Sequence, residues 1–215
     1  MIALGLLLVA AALGLCGYNL WDSQRAGQAA ASALEQLAPQ VQEAVKTAPV
    51  YMPAEITYIS EPSHHVATGS DDIVEYPDFV LNPKMDPPAQ VIDGNSYIGI
   101  LTIPSMGQSF PIMKTSSEEN LKISPCCYSG SPYTDDFVIA GHNYITHFGS
   151  LGDVSIGDKV NFADLDGNLF DYEVVEVTLL PATAVEEMVT GDWDLTIFTC
   201  TVSRQDRITV RCKKV

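Results

Sequence analysis

Hydrophobic and polar positions divide the chain into regions of different periodicity. From Met1 to Trp21 apolar residues run without a charged side chain, rich in Leu, Ala, Val and Gly. That length lets a helix span a bilayer, and Tyr18 and Trp21 near its end suit an interfacial belt. From Asp22 to Ala48 apolar side chains recur at helical spacing, at Leu34, Leu37, Val41 and Val45, among abundant Ala. This reads as a helical stalk continuing from the span, with Pro39 expected to kink or interrupt it. So few apolar positions do not make a coiled coil. Pro49 to Asn95 holds most of the prolines, several acidic residues and little periodicity, and reads as a linker.

From Tyr97 the period shortens to that of strands. Strands are expected over Tyr97–Ile103, Phe110–Lys114, Asp136–Gly141, Lys159–Ala163, Phe170–Leu180, Leu195–Cys200 and Ile208–Lys214. Asp166-Gly167 is a hairpin signal. Short helical turns are expected over Glu118–Ile123 and Ala182–Val189. Many strands with few helices imply a closed or sandwich-like all-β domain.

The formal net charge of −16 argues against nucleic acid, whose phosphates this chain would repel. The first segment lacks the basic start and the small-residue cleavage site of a signal peptide. Leu13-Gly14-Leu15 lacks the small residue expected beside a lipid-modified Cys16. No Lys or Arg precedes the span and Arg25 follows it, so charge does not place the bulk of the chain outside.

Candidate chemistry centres on Leu195-Thr196-Ile197-Phe198-Thr199-Cys200. This β-branched run ends on a cysteine, with a polar loop after it and Arg207 at the start of the next strand. A cysteine at the end of a rigid strand is well placed for a nucleophile. A thiolate attacks a carbonyl, an imidazole moves protons near neutral pH, and a guanidinium stabilises a developing oxyanion. Cys200, His142 and Arg207 offer one of each. His147 competes with His142, but its local Phe148-Gly149-Ser150-Leu151 reads as loop packing. Arg204 competes with Arg207, and Arg211 falls on the Arg207 face further from Cys200. Thr199 either lines the site or is a plain strand residue. Cys16 lies in the span, Cys126 and Cys127 are adjacent and ill suited to bond each other, and Cys212 reads as buried. A disulfide at Cys200 would remove the catalytic reading.

Thr196-Ile197-Phe198-Thr199-Cys200 resembles the TLxTC signature of the sortases, with Ile in place of Leu. Val138-Ile139-Ala140-Gly141-His142 is similar to the segment carrying that family's histidine, and Arg207 stands where the family keeps its arginine. The resemblance covers about residues 96–215. It implies an all-β fold: a closed eight-stranded sortase-type β-barrel with short helices, preceded by an N-terminal membrane helix and stalk. The implied domains are a membrane anchor (1–21), a helical stalk (22–48), a Pro-rich acidic linker (49–95) and the catalytic barrel (96–215). Between Leu180 and Leu195 there is no room for the long helical insertion of class B sortases.

The resemblance further implies a cysteine transpeptidase anchored in the cell membrane by one span, with its catalytic domain outside. His142, Cys200 and Arg207 would be catalytic, and Thr199 would contact substrate. The partners would be surface proteins or pilins with an LPxTG-like C-terminal sorting signal, an amine of the cell wall or a pilin lysine, and membrane lipid. Cysteine peptidase and non-catalytic binding module are the alternatives. Some pilus-building sortases carry an Asp and an aromatic in a lid; Asp78 and Phe79 are the candidates here, with plain linker the preferred reading. No cofactor or metal is expected. The acidic residues Asp135, Asp136 and Asp164 read as solvated rather than as a calcium site, and His64 and His65 as solvated linker residues.

Overall fold

The computed structural model describes residues 2–48 and 76–215. His64 and His65 lie outside the described residues. Nine strands form one sheet: β1 (Gln90–Ile92), β2 (Asn95–Ile103), β3 (Gln108–Met113), β4 (Cys126–Ser129), β5 (Phe137–Ala140), β6 (Lys159–Asp164), β7 (Leu169–Pro181), β8 (Leu195–Cys200) and β9 (Asp206–Lys214). Their order is β1-β2-β3-β4-β5-β8-β9-β7-β6, and β6 pairs back onto β2. That pairing, Gly99 with Asp164 through Thr102 with Asn161, closes β2–β9 into an eight-stranded barrel. Closure removes the unpaired edges an open sheet would present. The strand β1 adds to the free stretch of β2 at Asn95–Tyr97.

Strand alternation sends one set of side chains into the barrel. Leu101, Ile103, Phe110, Ile112, Phe137, Ile139, Phe162, Tyr172, Leu195, Ile197 and Val210 form the interior cluster. Two strands lie beyond the sequence expectation. Only Gln90–Ile92 is long enough to pair in β1, and β4 follows Pro125 with its register shifted between Cys127 and Ser129. Neither is long enough to show a clear alternation.

The helix α1 (Ile2–Thr47) departs from the expected stalk. Pro39 does not interrupt it. Pro39 and Glu35 are both exposed, so the Glu35 carbonyl, deprived of its partner N–H, faces water. Beyond residue 21 the helix lies along the barrel rather than standing away from it. Ala33, Leu37 and Val41 pack on Ile92, Tyr97, Ile100, Met113 and Cys126 of the outer wall. Ala26, Ala30, Ala33, Leu37 and Val41 are all buried, at spacings of three and four that keep them on one stripe. The small Ala residues let the helix approach the sheet closely.

The expected linker also shrinks. The short helix α2 (Asp78–Leu81) and β1 both belong to the folded body. Phe79 stacks on Tyr133 with ring centroids 4.9 Å apart and packs against Phe170 at 5.3 Å. Asp164, expected to be solvated, is buried. It accepts hydrogen bonds from Tyr133 Oη at 2.7 Å, from the backbone N–H groups of Asp166 and Asn168, and from Asn168 Nδ2. That carboxylate organises the β6–β7 turn, because a buried charge needs its lone pairs filled.

Candidate active site

Strand register brings the candidate residues to one end of the barrel. β5 and β8 run parallel, with Ala140 beside Phe198. Gly141 N–H donates to Phe198 O at 3.1 Å. His142 and Cys200, each two residues further on, therefore leave the sheet at the same level. On the other side of β8, Cys200 pairs directly with Arg207 of the antiparallel β9. The three side chains are borne by adjacent strands, β5, β8 and β9, at their shared end.

Cys200 shares its face with Phe198 and Thr196 by strand alternation. Phe198 lies in a cluster on the outer wall with Val138, Ala140 and Met188, flanked by Leu121 and Leu180. Tyr128 meets Phe198 edge-on at 5.2 Å. Cys200 thus stands at the end of an apolar strip. It is half-buried and free, as are all five cysteines free. Burial pushes the Cys126 thiol up to about 12, Cys127 to about 11 and Cys212 to about 12, so these thiols stay protonated and inert. Thr199 faces the other way: it is 1% exposed, its hydroxyl buried without a partner. Its side chain lies behind Cys200, inside the barrel.

Burial holds the His142 imidazole below its ordinary 6.5, while Glu118 and Asp22 pull it up and Arg204 and Lys122 push it down. Its Nε2 is buried without a hydrogen-bond partner among the described residues. Gly141 makes the approach to His142 possible: a Cβ there would lie 2.5 Å from the Phe148 ring. Phe148 N–H in turn donates to His142 O at 3.1 Å. His147 is fully buried, and burial lowers it to about 4, with His142 adding to the effect and the Ile123 backbone offsetting a little. It packs the loop and does not open onto the groove.

Arg207 is half-buried. Its Nη1 donates to Ala182 O, its guanidinium carbon lies 5.5 Å from the Phe198 ring centre, and Nε has no partner. Arg204, in contrast, is exposed in the β8–β9 loop with a left-handed φ of 59°. Arg211 is consumed structurally. It donates to Met188 O at 3.1 Å, to Glu187 O at 2.5 Å and to Thr196 Oγ1 at 2.7 Å, and so anchors α4 (Val185–Val189) to β8 and β9.

Two residues that sequence reasoning missed complete the surroundings. The Tyr144 ring lies 4.9 Å from that of His142 and 5.4 Å from that of His147. Its hydroxyl donates to Asp22 Oδ2 at 2.5 Å. Thr146 Oγ1 donates to Ser23 O at 3.1 Å, and Thr146 fills the space beside Gly27. No periodicity links residue 22 to residue 144. Of the two lid candidates, Phe79 stacks on Tyr133, which precedes β5, at the barrel end opposite to His142. Its ring packs on Tyr133 and Phe170 there, away from Cys200.

The family model described as the Sortase domain matches residues 101–215, more than half of the chain. The chain belongs to the sortase family. Sortase A of Bacillus anthracis is 29% identical over 137 residues, which cover 57% of this chain and 64% of the relative. The chain thus aligns with somewhat less than two-thirds of that relative's length. Among solved structures, a Clostridium perfringens sortase D5 transpeptidase superposes with a TM-score of 0.51 at 23% identity, covering 59% of this chain and 82% of the other. Sortase C1 from Streptococcus agalactiae gives 0.52 at 23% identity, covering 58% and 70%. Both share the fold, a closed eight-stranded barrel.

Proposed function

We propose that the chain is a membrane-anchored cysteine transpeptidase. It cleaves an LPxTG-like sorting signal and passes the acyl part to an amine, from a cell-wall precursor or a pilin lysine. The carrying observation is the register that puts His142, Cys200 and Arg207 at one end of three neighbouring strands. The N-terminal apolar helix, exposed over its first segment and long enough to cross a bilayer, supports the anchor, with the barrel outside the cell.

In this reading Cys200 gives its proton to neutral His142 and its thiolate attacks the substrate carbonyl carbon. A C–S bond forms, and the carbonyl electrons move to oxygen. Arg207 donates hydrogen bonds to that oxyanion without giving up its charge. The carbonyl re-forms, the C–N bond breaks, and the His142 imidazolium protonates the leaving amine. A thioester on Cys200 remains. An incoming amine attacks it, loses a proton to His142 and expels the thiolate. Thr199 keeps the end of β8 in place from inside the barrel. The apolar strip of Phe198 and its neighbours would receive the non-polar side chains of the signal.

The test incubates the full chain in detergent with an LPxTG-type peptide and an excess of glycine or lysine amine, with mass spectrometry of the products. A joined amide product, lost in Cys200→Ala, is expected. Cleavage without joining would favour a peptidase. Silence across a peptide library would favour a binding module.

A further inference from the structure

The helix α1 fixes the barrel's attitude as well as its location. Asp22 and Ser23 bond the loop that follows His142, and Gly27 packs on the same loop. About twenty residues further along the helix, roughly 30 Å at the helical rise, Ala44 abuts Gly167 in the β6–β7 turn. The helix therefore runs the length of the barrel. Its Asp22 end lies at the His142–Cys200–Arg207 end, and its Ala44 end lies at the opposite one. Residues 3–21 continue past the barrel with their side chains exposed, Tyr18 and Trp21 standing near the end of this segment.

We propose that the barrel end carrying His142, Cys200 and Arg207 faces the bilayer that α1 enters, with Ile145 and Val202 in contact with the lipid interface. This rests on the membrane-anchor reading given above. Two loops at that end expose large apolar side chains. Ile145, between the helix-bound Tyr144 and Thr146, is 73% exposed, and Val202, in the loop after Cys200, is 93% exposed. The two loops start at one level, since β5 and β8 run parallel with Ala140 beside Phe198 and Gly141 N–H donates to Phe198 O. Arg25, Lys122 and Arg204 are exposed here and form no ion pair among the described residues, in a chain whose net charge is −16. Apolar tips beside exposed cations outside ion pairs suit an anionic headgroup layer. The peptide bond acted on would then lie at the membrane surface, within reach of chains that are themselves held there.

The experiment places an environment-sensitive fluorophore on one introduced cysteine at a time, Ile145→Cys, Val202→Cys or Leu81→Cys, with the buried Cys126 and Cys212 retained. The background carries Cys16→Ser, Cys127→Ser and Cys200→Ala. Leu81 is exposed beside Phe79 at the opposite end. The full chain is reconstituted in vesicles of phosphatidylcholine and phosphatidylglycerol, and co-flotation is scored first. Quenching is then read with a headgroup-labelled and an acyl-chain-labelled lipid. The expected result is co-flotation, with severalfold stronger headgroup quenching at residues 145 and 202 than at 81. Co-flotation with equal or reversed quenching overturns the proposal and leaves the anchor intact. Failure to float overturns both.

Discussion

His147 is fully enclosed, and among the described residues neither of its ring nitrogens makes a well-formed hydrogen bond. With a folded value of about 4 against an ordinary 6.5, the unfolded chain binds more protons between those limits. Stability from this residue is fully present above about pH 6.5 and declines as pH falls toward 4, by about 3 kcal/mol in total. Denaturant midpoints measured across that range should fall with pH in the wild type, and His147→Leu should flatten the fall. An unchanged slope in the variant would refute the assignment. Gly141→Ala is a second residue-scale test. The added Cβ would collide with Phe148, whose backbone N–H holds the His142 carbonyl. We expect kcat to fall by tenfold or more because a small misplacement of a catalytic group is costly, with the fold retained by circular dichroism. Tyr144→Phe removes only the bond to Asp22. It should shift the pH profile of kcat/KM, since it loosens a group that lies against His142, while leaving thermal stability close to wild type.

At the scale of elements, the expected stalk is part of the fold. Leu37 is fully buried between α1 and the barrel wall. Leu37→Ala should cost about 2–5 kcal/mol in urea unfolding. A fragment starting at residue 50 would bare Tyr97, Ile100 and Met113, and should associate in size-exclusion chromatography where a fragment starting at residue 22 stays monomeric. The helical period of Leu34, Leu37, Val41 and Val45 was visible in the chain. What it packs on was not, because a stripe of Ala and Leu carries no address. Similarly, β8 and β9 were legible from continuous alternation. β4 was hidden by Pro125 and a bulge, and β1 by its three-residue length.

For the molecule as a whole, the two ends of the barrel carry different side chains, with His142, Cys200 and Arg207 at one of them. Phe79 serves the end away from Cys200, stacked on Tyr133 and Phe170. Phe79→Ala should destabilise the fold and lower Tm through lost packing, by less than the ~3–5 kcal/mol of a fully buried Phe because the ring is only partly buried, while leaving kcat/KM and the ratio of transfer to hydrolysis near wild type. A lid residue would behave oppositely, with altered activity and an unchanged Tm. Arg25 and Arg204 lie 179 residues apart in sequence, and only closure of the barrel sets them at one end.

The sequence by itself determined the elements whose residues interact locally: the apolar first helix, the long alternating strands, and a cysteine, a histidine and an arginine at strand ends. Periodicity is a local property, and strand ends are marked by the loops beside them. Tertiary structure alone decided that β5 lies parallel to β8, so that His142 reaches the level of Cys200. It also turned Thr199 inward, sent Phe79 to the far end and joined Asp22 to Tyr144. Each of these is a contact between distant parts of the chain, selected by shape and by the need to pair every strand edge, and neither requirement is written in any short stretch of residues.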